Sequence, residues 1–138
     1  MTTTHAHETR IEADPSLPTV RITRDFDAPR ERVFRAFVDP DLVAQWLGPN
    51  DIECRMETWD ARTGGSYRYA ALREGEEIAS FYGSFHEVRP VERLVQTFTY
   101  EGVPDGVSLD TMTFEDLGDG RTRVTNLSVV DTLEGRDR

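Results

Sequence analysis

Ser80, Ser84 and His86 stand at alternate positions. In an extended strand they project from one face, within reach of a Ser84-to-His86 contact. Two things a nucleophile needs are missing: no Gly-x-Ser-x-Gly turn raises a serine above the chain, and no acid is placed to orient His86. No catalytic residue is assigned. Cys54 lies in the strand-like run Ile52-Glu53-Cys54-Arg55-Met56, with neither a second cysteine nor a helix start nearby, and reads as packing. Glu76 and Glu77 follow the turn at Gly75, where carboxylate pairs are solvated rather than acid–base couples. His5 and His7 lack further ligands, so neither a metal centre nor a cofactor is expected. All 16 basic residues are arginine, which excludes a Schiff-base lysine or a lysine that cradles phosphate.

The other chemically informative group is aromatic. Tyr67, Tyr69 and Ala71 alternate along one expected strand, and Leu94, Phe98 and Tyr100 along another, so each set shares a face. Trp46, Trp59, Phe81, Phe85, Met112 and Phe114 add bulk nearby. Such residues ordinarily make a packed core. Tyrosine hydroxyls, however, need partners when buried, and Tyr67, Tyr69 and Tyr100 suit an amphipathic pocket better than a dry interior.

The elements that must position these side chains follow from periodicity. Val20, Ile22 and Phe26 alternate with polar residues and predict a first strand over Thr19–Phe26. Asp27 and Pro29 read as a cap and an early-helix proline, before Val33, Phe34, Phe37 and Val38 at helical spacing. Asp39-Pro40 interrupts that helix, and Leu42, Val43, Trp46 and Leu47 form a second short apolar face ending at Gly48-Pro49. Six further strands are expected: Ile52–Trp59, Ser66–Arg73, Ile78–Val88, Arg93–Tyr100, Val107–Asp116 and Thr122–Val130. The run from Trp59 to Arg68 reads as a structural corner, with paired glycines and an Asp60–Arg62 contact. Residues 1–16 are polar and aperiodic and read as a flexible tail, leaving 17–138 as one domain.

A chain of 138 residues, 37% hydrophobic and 30% charged, is sized for one core and too apolar for disorder. Its net charge of -10 repels phosphate backbones and anionic lipid, so no nucleic acid and no membrane partner is expected. One cysteine and no secretion signal make cytoplasmic residence the default.

Four segments, taken jointly, carry a resemblance. They are Phe26-Asp-Ala-Pro-Arg-Glu-Arg-Val-Phe, Asp39-Pro-Asp-Leu-Val-Ala-Gln-Trp-Leu-Gly-Pro, Tyr82-Gly-Ser-Phe-His-Glu-Val-Arg-Pro and Glu92-Arg-Leu-Val-Gln-Thr. Over about Val20 to Arg138 the chain resembles the heat-shock-protein ATPase activator-like branch of the START and birch-pollen-allergen superfamily, often labelled SRPBCC. The resemblance implies an α+β helix-grip fold: a curved antiparallel sheet of about six or seven strands, two short helices, and a long C-terminal helix enclosing a hydrophobic cavity. Leu133-Glu-Gly-Arg-Asp-Arg reads as the approach to that last helix, which is expected to be truncated in this chain. An uncovered apolar sheet face would favour a homodimer. The function implied is binding of a small hydrophobic or amphipathic ligand by Trp46, Tyr67, Tyr69, Phe81, Phe98, Tyr100 and Met112. The alternatives are a chaperone ATPase activator-like interaction module and a cyclase or hydrolase, with His86 the sole catalytic candidate. An enzyme is the less favoured reading, because no convincing acid–base pair is present.

Overall fold

The computed structural model describes residues 9–47 and 51–130. The chain forms β1 (Arg10–Ala13), β2 (Thr19–Phe26), α1 (Arg30–Val38), α2 (Pro40–Trp46), β3 (Glu53–Trp59), β4 (Ser66–Arg73), β5 (Glu76–Arg89), β6 (Arg93–Tyr100), β7 (Ser108–Gly118) and β8 (Arg121–Val130). The strands make one antiparallel sheet in the order β1-β2-β8-β7-β6-β5-β4-β3. It is a curved, unclosed sheet with two short helices after β2, the helix-grip arrangement expected. Among the described residues no helix is long and apolar enough to cross a membrane. The approach to the C-terminal helix, from Leu133, lies outside the described residues.

β2 and β3 follow one another among the long strands yet lie at opposite ends of the sheet, so the α1–α2 segment has to cross between them. In crossing, α1 packs on β7 and β8 while α2 leads onto β3. Phe34 and Phe37 meet Phe114 edge-to-face at 5.1 and 5.5 Å, and Ala28, Val33, Leu94, Met112 and Val124 close the buried cluster around them. Each such aromatic pair adds about 0.5–1.5 kcal/mol beyond the area it buries.

The helix ends differ in part from the sequence reading. Asp39-Pro40 interrupts the helical run as expected, and Asp39 also caps α2, accepting from the Asp41 amide at 3.0 Å with Pro40 in the first turn. Asp27 does not cap α1, which begins at Arg30 behind an extended Pro29. The reason lies outside the helix: the Thr122 hydroxyl, fully buried, donates to the Ala28 carbonyl at 2.7 Å and holds that segment against β8.

β1 raises the strand count to eight and falls within the segment read as tail. It pairs with β2 from Arg10↔Thr23 to Ala13↔Val20, and all four of its residues are exposed. An edge strand held by backbone hydrogen bonds with no buried side chain leaves no alternation to read.

The corner after β3 is structural, as expected. Arg62 Nε donates to both Asp60 carboxylate oxygens at 2.8 and 3.0 Å. The Gly64 amide donates to the Phe85 carbonyl and the Phe85 amide to the Gly65 carbonyl, each at 2.8 Å, docking the corner on β5. A Cβ on Gly65 would lie 1.9 Å from the Asp60 carbonyl oxygen, whereas Gly64 has open space but φ +87°. Gly65→Ala is therefore expected to destabilise by about 2–3 kcal/mol, a backbone overpacking effect. Gly64→Ala is expected to lose only about 1 kcal/mol, from its positive φ. Urea midpoints at constant slope check that ordering.

Candidate functional site

Directly paired residues of antiparallel strands project to the same side, so the register identifies the inner face. Tyr69 opposes Phe81, Phe81 opposes Tyr100, Leu94 opposes Met112, Met112 opposes Asn126, and Asn126 opposes Ile22. The rings of Trp59, Tyr67, Tyr69, Phe81 and Phe98 follow one another across β3 to β6 at centroid distances of 5.3, 6.1, 5.2 and 5.4 Å.

Two clefts lie on this face. The first, about 330 Å³, runs under the helices between Phe37, Val43 and Leu47 above and Ile22, Arg24, Tyr67, Gln96, Met112 and Asn126 below. The second, about 380 Å³, lies toward β3 and is lined by Ile52, Cys54, Ile78 and Phe81. Leu47, Tyr69 and Phe98 border both.

The structure places Tyr67, Tyr69, Phe98 and Met112 on the first cleft and Phe81 on the second. Tyr100 is among the residues lining neither. It stands at the end of β6, 40% exposed, its ring 5.4 Å from Phe81 and against Gly102. The side chain of Trp46 lies outside the described residues. Trp59, not assigned to the site from sequence, lines the first cleft, its indole N–H held by the Val38 carbonyl at 2.7 Å. Arg24, Gln96 and Asn126 were also missed, although a signal existed for two of them. Arg24 continues the Val20–Ile22 parity, and Gln96 lies between Leu94 and Phe98 on the same face.

Tyr67 is 2% exposed and its hydroxyl donates to the Thr97 backbone carbonyl at 2.6 Å. Beside it the Ser84 amide turns to the Thr97 hydroxyl at 2.9 Å, locally opening the β5–β6 ladder. Gly83 makes the room, since a Cβ there would lie 2.7 Å from the Tyr67 hydroxyl oxygen. The Tyr69 hydroxyl has no hydrogen-bond partner among the described residues. Burial pushes the Tyr67 phenol far up and the Tyr69 phenol to about 12. Asp110, opposite Gln96 and Ser128, is also raised by burial, against the hydrogen bonds of Ser128 and Ser108. Asn126 Oδ1 is buried without a hydrogen-bond partner among the described residues.

The residues weighed for catalysis are arranged differently. Ser84 and His86 are exposed on the opposite, convex face, and the Ser84 hydroxyl lies 3.2 Å from that of Thr97. Ser80 donates to Glu77 at 3.0 Å, and Glu77 also meets Arg55 at 3.0 Å. Burial raises the Cys54 thiol, in keeping with a packing role. Among the described residues no group of three or more His, Cys, Asp or Glu is placed to hold a metal ion.

Two outcomes are expected. Tyr67→Phe leaves the Thr97 carbonyl unpaired and should lose about 1–3 kcal/mol in a denaturant titration. A phenol whose folded pKa is raised supports the fold fully below its unfolded value near 10 and loses that support as pH climbs through the folded value. Absorbance at 295 nm should therefore show Tyr67 and Tyr69 un-ionised at pH 11 in the folded protein, with a further rise on adding denaturant.

Comparison with known proteins places this geometry. A structure from Chromobacterium violaceum matches with 34% identity and TM-score 0.73, covering 82% of this chain and 79% of that one. One from Rhodobacter sphaeroides has 24% identity and TM-score 0.82 over 94% of this chain and 83% of its own, a likeness of fold. An Hsp90 activator from Plasmodium falciparum has 19% identity and TM-score 0.61, covering 80% of this chain and 71% of that one, again a likeness of fold. Nothing matches among curated proteins. The family described as Activator of Hsp90 ATPase homolog 1-like protein matches residues 27–137. With that match and the helix-grip sheet, the chain belongs to this family of the SRPBCC superfamily.

Proposed function

We propose that this protein binds a small hydrophobic or amphipathic molecule against the concave face of its sheet. The observation that supports it is the coexistence of apolar walls with polar atoms the described residues leave unmatched: Asn126 Oδ1 and the Tyr69 hydroxyl, beside Phe98 and Met112. A volume of about 330 Å³ is at the lower end for small-molecule sites, which run from roughly 300 to 1,000 Å³. In this reading Tyr67, Phe81, Phe98 and Met112 give shape and apolar contact, and the Tyr69 hydroxyl offers the ligand a hydrogen bond. Tyr67 is a positioning residue, because its hydroxyl is already used.

A second reading, a chaperone ATPase activator-like interaction module acting through an exposed surface, is favoured by the family description and by the Plasmodium falciparum likeness. A cyclase or hydrolase is not favoured, since Ser84 and His86 face away from both clefts.

Native mass spectrometry of the purified protein, compared with the denatured spectrum, is expected to show a small-molecule adduct lost on denaturation. Tyr69→Phe should weaken its retention about fivefold, the effect of one hydrogen bond, and Tyr100→Phe should leave it unchanged. An empty protein that stimulates a chaperone ATPase would overturn the binding reading in favour of the second. The same spectra distinguish monomer from homodimer.

A further inference from the structure

The first cleft has one cationic side chain on its lining, Arg24. It is exposed, and its Nε donates to the Thr9 hydroxyl at 2.7 Å. Among the described residues no carboxylate lies within ion-pair distance of it. That contrasts with Arg55, Arg62, Arg68 and Arg123, which meet Glu57, Asp60, Glu101 and Asp25 at 2.9, 2.8, 2.6 and 2.9 Å. Among the described residues Arg10, Arg21, Arg30 and Arg32 likewise meet no carboxylate, but of these arginines Arg24 is the one on the lining of the apolar cleft. Its planar guanidinium matches a carboxylate with two parallel N–H donors, a geometry a neutral or cationic head group cannot use.

The register orients what would bind. Arg24 opposes Val124, whereas Asp110 opposes Ser128 on the same inner face. Val124 and Ser128 are four positions apart, about 13 Å along the strand. Arg24 is the cation on the lining, so a negative head belongs there and an apolar body along Phe26, Met112 and Val124.

We propose that the cleft selects a lipophilic carboxylate, with its head on Arg24 and its apolar body inside. This rests on the cleft-binding reading above, and the test separates the two. Decanoate, decanol and decyltrimethylammonium are titrated calorimetrically into the full chain. Decanoate should bind about tenfold tighter than decanol, the increment of a charge-assisted hydrogen-bonded pair. Arg24→Gln should bring decanoate to the decanol value without moving decanol, and Arg24→Glu should transfer the preference to decyltrimethylammonium. Because Arg24 is exposed, both variants should keep the parent unfolding midpoint. Equal binding of decanoate and decanol, or a decanoate preference that survives Arg24→Gln, overturns the carboxylate assignment and leaves cleft binding standing. Failure of all three probes to bind overturns both.

Discussion

The concave face depends on one constraint: the connection from β2, beside one edge of the sheet, must reach β3 at the other. An antiparallel meander can leave one face in water, and here the crossing segment is what buries part of it. The helices are too short to be stable alone, at nine and seven residues. They hold because Phe34 and Phe37 dock on Phe114, and because Thr122 anchors the Ala28 carbonyl just before α1. The break at Asp39-Pro40 lets two short rods follow a curved surface that one straight helix would leave.

The two faces solve different problems. On the convex side Arg68 is paired to both Glu57 and Glu101, and Arg55 to Glu57 and Glu77, a network spanning β3, β4, β5 and the end of β6. Individually such exposed pairs contribute little. Their aliphatic stems, however, can shield apolar surface while the charged ends stay in water, and Ala70, Ser80 and Thr99 on this face are 0, 5 and 2% exposed. On the concave side the surface is aromatic and its few polar groups are spaced apart. That asymmetry is why chemistry was to be sought on the concave face, and why serines and a histidine alternating on the convex side make no site.

Much of this architecture was legible. The seven long strands, the two helices and the interruption at Asp39-Pro40 all follow from alternation, helical spacing and turn residues, because each signal is local. So does the corner at Asp60–Gly65. The inner face was legible in outline, since Tyr67, Tyr69, Phe98 and Met112 share it by parity. Tyr100 follows the same parity yet lines neither cleft, because position along a strand, near the Gly102 turn, decides exposure as much as face does.

What the sequence determined by itself is therefore the set of elements, the face of each side chain and, through joint motifs, the family. Tertiary structure decided which strands became neighbours, that Arg10–Ala13 adds to the edge at β2, and that Trp59 lines the first cleft. It also decided that the hydroxyl of Tyr67 is consumed by Thr97, thirty residues away, while that of Tyr69 meets no partner among the described residues. The physical reason is range: periodicity reports the two sides of one strand, but a hydroxyl's partner, a carboxyl's desolvation and a cleft's walls come from strands brought together only by long-range pairing.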